Sequence, residues 1–250
     1  MPGTVFTPAE RERLHHTLIS RARSDPRITA AAVVGSASVG RDDRWSDIDL
    51  ALGLAETADL HEVMADWTEA MYRDHETVHH LDVWRGPSCV RVFLLADTLQ
   101  VDLAFRPKDD FRATSSTFQL LFGEASDRPP ALPLDANELI GLGWVYALHV
   151  RSSLKRGRVW GAENMLSHMR EQVLALACLR HGLPIYEGRG IDDLPPGVTE
   201  RFADILPRSP DIAELGRAFR VTGDGLRREL EHADPALAAR LTEPLNLLLR

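Results

Sequence analysis

The stretch Ala31–Leu52, AAVVGSASVGRDDRWSDIDLAL, restricts this chain more than any other. An apolar run closes on Gly35-Ser36, a polar loop follows, and Asp47-Ile48-Asp49 opens a second apolar run. Ile28–Val34 reads as a short buried strand. Gly35 permits a turn that residues with side chains resist. Ser36 then falls at the start of a short helix, where free backbone N–H groups and a hydroxyl favour phosphate. Asp47 and Asp49 are two positions apart, so on a strand both carboxylates share one face, with Ile48 and Leu50 on the other. Convergent carboxylates suit Mg²⁺, a hard cation that takes oxygen ligands and is usually shared with substrate phosphates. A third carboxylate fits the same pattern. In LQVDLAF, Val101, Leu103 and Phe105 alternate with Asp102 and Ala104, so Asp102 faces away from the apolar side.

Gly35-Ser36, a ten-residue spacer, Asp47-Ile48-Asp49 and a later strand aspartate resemble the signature of the DNA polymerase β-like nucleotidyltransferase superfamily. A lone Gly-Ser would be only a turn, and a lone pair of aspartates only a solvated strand end. The combination carries the resemblance. It implies an α/β (α+β) core with a mixed sheet, in which Asp47, Asp49 and Asp102 are catalytic and hold two Mg²⁺ ions. Gly35 and Ser36 would hold the outer phosphates of ATP or another NTP. A hydroxyl would attack the α-phosphorus, a nucleoside monophosphate would transfer, and pyrophosphate would leave. In the loop, Arg41, Asp42, Asp43 and Arg44 serve either to keep it in water or to flank the site, where Arg44 and Ser46 would touch the triphosphate.

The remaining elements follow from local signals. Thr7-Pro8-Ala9-Glu10 is a capping box that opens a helix running to about Arg23. His15 and His16 diverge on that helix and read as surface residues. Ala58–Asp74 is amphipathic, with Trp67 a core residue. Thr77–Trp84 is a strand, with His79 and His80 on opposite faces. Gly86-Pro87-Ser88 is a turn. Cys89–Leu95 and Thr98–Phe105 are strands joined by a tight Ala96-Asp97 hairpin. Phe118–Phe122 adds one short strand. This core covers about residues 1–110 of a first domain, 1–133, which ends in the proline-rich run Arg128–Pro133.

From residue 134 to 250 the pattern is helical and predicts an all-helical bundle. Helices are expected from the capping signal at Asp135 to about Ser153, over Ala162–His181, near 210–231 and over 235–249. Ser209-Pro210 and Asp234-Pro235 supply the caps of the last two. Glu163, Ser167 and Arg170 share a face. The pattern is similar to the helical domain of small-molecule nucleotidyltransferases that modify antibiotics, which usually forms an acidic acceptor pocket. Some relatives carry a glutamate base ahead of the third aspartate. The matching stretch here, Trp84–Ser88, has no carboxylate. Glu163 is therefore the candidate base, with Asp82 and Asp102 as alternatives.

Composition narrows the partners. A net charge of −8 argues against a nucleic-acid binder and suits a small cationic acceptor, an aminoglycoside or lincosamide antibiotic by the resemblance. No apolar run approaches the ~20 residues that span a bilayer, and the N-terminal stretch lacks a signal-peptide core. Cys89 and Cys178 read as buried free thiols, consistent with the cytoplasm. The expected assembly is a monomer or homodimer. Two other readings stand beside this one. The first is nucleotidyl transfer to a protein hydroxyl. The second is a non-catalytic, antitoxin-like regulator that keeps the fold.

Overall fold

A computed structural model describes residues 5–40, 42–113, 117–127 and 136–250. The chain divides into two compact units, Met1–Ala131 and Leu132–Arg250.

The first unit opens with α1 (Pro8–Ser24), whose capping box is complete: Glu10 N donates to the Thr7 hydroxyl, and the Glu10 carboxylate accepts from Thr7 N at 2.7 Å. Six strands follow: β1 (Ile28–Val34), β2 (Ile48–Leu54), β3 (Thr77–Arg85), β4 (Ser88–Leu95), β5 (Gln100–Arg106) and β6 (Phe118–Phe122). They form one mixed sheet in the order β3-β4-β5-β2-β1-β6. Among the described strands β2–β5 is the one parallel pair; the rest are antiparallel. β6 joins the sheet beside β1, a placement that sequence neighbours do not reveal.

One sheet face buries the main core. Ile48, Leu50 and Leu52 of β2 and Val101, Leu103 and Phe105 of β5 meet Leu18 and Ala22 of α1 and Val63, Met64, Trp67 and Met71 of α2 (Leu60–Asp74). Trp67 is a core residue: its ring lies edge-on to Phe105, and its indole N–H donates to Asp25 at 3.0 Å. That bond satisfies the indole's only polar atom, so the ring is buried without an orphaned donor. The second face is lined by small residues, Ala30, Ala32, Ala51 and Ala104, with Phe111 packed on them. An aromatic ring can lie close to such a surface because no side chain stands up from it.

Two local expectations are corrected here. The β4–β5 turn takes in Thr98 and Leu99 as well as Ala96-Asp97, and β5 starts at Gln100. Thr98 adopts φ +72°, a conformation no strand accommodates, and the Asp97 carboxylate accepts from Leu99 N at 3.0 Å. On the other hairpin Ser88 pairs with Arg85 and so belongs to β4, leaving Gly86-Pro87 as the turn.

The second unit is helical: α3 (Ala136–Lys155), α4 (Val159–Arg180), a single turn α5 (Pro196–Thr199) continued by 3₁₀ turns over Glu200–Ile205, α6 (Ile212–Ala233) and α7 (Pro235–Leu248). Leu166, Met169 and Val173 of α4 pack with Leu215, Phe219 and Leu226 of α6 in its core. Arg180 and the buried Glu229 tie α4 to α6 through two hydrogen bonds of 2.8 and 3.0 Å. Removing one partner of such a pair typically costs about 3 kcal/mol, because the other charge is left buried. Asp234 caps α7 ahead of Pro235 as expected. The cap of α6 is Asp211 rather than Ser209. The Asp211 carboxylate reaches Glu214 N at 2.8 Å and also accepts from the Ser209 hydroxyl, so the stronger acceptor takes the helix end. Arg128–Pro133 and the Asp135 cap lie outside the described residues, as does Arg41. No helix among the described residues is long and apolar enough to cross a membrane. Cys89 and Cys178 are free and buried.

Candidate active site

The parallel register of β2 and β5 sets Asp49 directly opposite Asp102. Both point to the sheet face that carries Ala51 and Ala104, away from the main core. Asp47 was expected on the strand. It lies one residue before β2, at the end of the loop, and approaches from there. One carboxylate oxygen from each of Asp47, Asp49 and Asp102 lies within 4.8 Å of the other two, and all three residues are partly buried. Octahedral Mg²⁺ holds its oxygens at about 2.1 Å and hence about 3–4 Å apart from one another. A small contraction of the three side chains therefore seats an ion, and the all-oxygen donor set matches a hard cation.

Gly35 explains why the two halves of the motif occur together. Its φ is +70°, which L side chains rarely adopt. A Cβ built on it would fall 2.1 Å from Asp49 Oδ2 and 2.9 Å from Asp49 Cγ. The Asp49 carboxylate occupies the space that any side chain at 35 would need. Ser36 opens a 3₁₀ turn, Ser36–Val39, and its side chain lies outside the described residues.

The electrostatics are those of a site short of positive charge. Burial pushes the Asp102 carboxyl up to about 6, and the negative Asp47 adds to the shift; Gln100 Nε2, donating at 3.0 Å, opposes it. A bound cation would supply the missing compensation.

Arg11 of α1 holds the loop ahead of Asp47. Its guanidinium donates to the Asp43 and Ser46 carbonyls and pairs with the Asp42 carboxylate at 2.6 Å. The loop also closes on itself: Asp43 N donates to Ser46 Oγ at 2.8 Å, and Trp45 N donates to Asp43 Oδ1 at 2.7 Å. The two loop residues expected at a triphosphate are engaged locally. The Ser46 hydroxyl serves this closure, and the Arg44 guanidinium lies over the Trp45 ring, 4.2 Å from its centroid.

His15 departs from its expected surface position. With Arg11, Asp42, Asp47 and Asp49 it lines a cavity of about 110 Å³. Burial lowers its pKa, helped by the nearby His16 and Arg11, so the ring is neutral at pH 7. The signal was present in the sequence: positions 11, 14, 15, 18 and 22 form one helical stripe, and Leu18 and Ala22 lie at its buried end.

Glu163 is in the second unit, on α4. Its carboxylate is 3.7 Å from the Arg170 guanidinium, which also donates to Ser167 Oγ at 3.1 Å. The face shared by these three residues is thus an ion-paired cluster in which Arg170 is largely buried.

Three aspartates converging beneath a glycine turn bring together three oxygen donors of the kind a hard cation takes. No protein-family model matches the sequence, and no curated protein is similar enough to count as a relative. Among solved structures the chain is similar to an aminoglycoside 6-adenyltransferase from Bacillus subtilis, at 11% identity and a TM-score of 0.42, over 96% of this chain and 97% of that one. It is also similar to a GLD-2/RNP-8 complex, at 12% identity and a TM-score of 0.31, over 88% of this chain and 75% of that one.

Proposed function

We propose that this chain is a Mg²⁺-dependent nucleotidyltransferase. It transfers a nucleoside monophosphate, AMP from ATP, to a hydroxyl of a small cationic acceptor of the aminoglycoside or lincosamide kind and releases pyrophosphate. One observation carries the reading: Asp47, Asp49 and Asp102 converge, and Gly35 is shaped to make room for Asp49. The net charge of −8 supports a cationic acceptor.

In this reading Asp47, Asp49 and Asp102 hold the metal, two ions by the resemblance. Bound Mg²⁺ supplies charge neutralisation at the triphosphate and acidifies the acceptor hydroxyl. The chain's own share is positioning. The β2–β5 register fixes two carboxylates, and Arg11 fixes the loop that delivers the third. Gly35 and Ser36 hold the outer phosphates in this reading, with Arg44 and Ser46 released to the triphosphate from their local partners. Glu163 is the proposed general base.

The test is pyrophosphate release with Mg²⁺ and each NTP across a panel of aminoglycosides and lincosamides, with product masses. The expected result is a mass gain of one nucleotide, abolished in Asp49→Asn. In Glu163→Gln, kcat falls at least tenfold and KM for the nucleotide is unchanged. Thermal stabilisation by Mg-ATP without any product would move the acceptor to another class, such as a protein hydroxyl. Absence of nucleotide binding would overturn the reading in favour of a regulator that keeps the fold.

A further inference from the structure

α1 gives the site a residue that the proposed reaction has not used. Its inward stripe runs from the core, at Ala22 and Leu18, to the carboxylate cavity, at His15 and Arg11. Arg11 is fully engaged by the loop before Asp47. His15 is not: its Nε2 is shut off from solvent and meets no hydrogen-bond partner. Folded proteins rarely leave a buried polar atom without a partner, and where they do the usual reason is a missing ligand or a functional role. Nothing about α1 demands a histidine there, since a leucine would continue the stripe.

The position says what kind of ligand. Imidazole nitrogens count as metal donors, yet among the described residues the set of ligand atoms close enough to share one ion contains only the three aspartates. His15 therefore stands beside the metal seat and outside it. What fills the space next to a carboxylate-bound Mg²⁺ is an oxygen of the anion that the ion carries.

We propose that His15 is a substrate-positioning residue whose Nε2, buried without a partner in the free protein, turns to a phosphate oxygen of the metal-bound nucleotide when that binds. This rests on the nucleotidyl-transfer reading and adds α1 as a further wall of the site. The residue holds the phosphate in place and takes no proton in the reaction.

The experiment uses the full chain, with Mn²⁺ alone and Mn²⁺ with α,β-methylene-ATP as probes, and calorimetry as the readout. The variants are His15→Leu, which removes the polar atom, and His15→Gln, which can return an N–H to a similar place. His15→Leu should bind Mn²⁺ like the wild type and the Mn-nucleotide about tenfold more weakly or worse. His15→Gln should recover most of that loss. Without ligand, His15→Leu should unfold at the same temperature as the wild type or higher, because a bare buried nitrogen has been removed. A purely structural histidine would give the opposite stability result. The proposal is overturned if His15→Leu binds the Mn-nucleotide as tightly as the wild type does. It is also overturned if the loss is accompanied by a lower unfolding temperature, or if Mn²⁺ alone is weakened as much as the nucleotide. Should the wild type bind Mn²⁺ but no nucleotide, the nucleotidyl-transfer reading falls first and takes the proposal with it.

Discussion

Asp102→Asn should make the metal-free protein more stable. In the folded chain the Asp102 carboxyl is raised from 3.8 to about 6, first by burial and then by Asp47. A rise of roughly 2 units is worth about 3 kcal/mol if taken in full. The carboxyl keeps some contact with water, so screening reduces this to about 1–2 kcal/mol. The direction follows from proton linkage. The folded state holds the Asp102 proton more tightly than the unfolded state does. The stabilising contribution is therefore complete below pH 3.8 and is lost as pH rises through about 6. Asparagine, always neutral, loses nothing. Thermal unfolding in EDTA near neutral pH should place Asp102→Asn above the wild type by roughly 2–8 °C for a chain of this size. Near pH 4 the difference should close. Adding Mn²⁺ at neutral pH should reverse the order, because the ion stabilises only the chain that can bind it tightly. The reasoning is refuted if the variant is less stable than the wild type in EDTA at neutral pH, or if the gap is the same at both pH values.

Gly35→Ala forces a methyl into the space of the Asp49 carboxylate at φ +70°. It should cost about 1–3 kcal/mol in urea unfolding and lower Mn²⁺ affinity at least tenfold by calorimetry, whereas Gly40→Ala, whose Cβ meets nothing, should leave Mn²⁺ affinity intact. Arg11→Met frees the loop ahead of Asp47 while keeping the apolar stem. It should weaken Mn²⁺ binding several-fold with an unchanged circular dichroism spectrum. Arg11→Lys should not restore binding, because one ammonium cannot reproduce a fork that reaches two carbonyls and a carboxylate.

Elements with strong local signals were legible in the sequence. β1 and β6 have their expected bounds, and the Thr7 box and the Asp234-Pro235 cap act as read, because each depends on residues three or four apart. The helical second unit was legible for the same reason, whereas the mixed sheet was expected from the resemblance alone. What escaped depends on contacts between distant residues. Nothing near Phe118–Phe122 announces that it pairs with β1, and nothing near Phe111 announces that it covers the alanines of the second face. Thr98 defeated the hairpin reading because a left-handed threonine leaves no mark in composition. The inward position of His15 is legible in the helical stripe that it shares with Leu18 and Ala22, whereas its divergence from His16 says nothing about burial.

The loop and the strands of the site carry different constraints. The loop ahead of β2 has to bring Asp47 back to the sheet, and Arg11 clamps its returning end at Asp42, Asp43 and Ser46. Asp49 and Asp102 are fixed by strand register instead. A one-residue slip of β5 against β2 would turn Asp102 into the core among Leu18, Trp67 and Phe93 and expose Val101 and Leu103. Burial of Leu50, Leu52, Leu103 and Phe105 on the opposite face penalises that slip strongly. Each such side chain is worth about 1.5–3 kcal/mol when buried. The carboxylates repel one another and are partly dehydrated, so their own energy favours separation. What holds them together is the apolar face behind them. The position of the aspartate cluster is thus set by hydrophobic register, in a geometry that the carboxylates would not choose themselves.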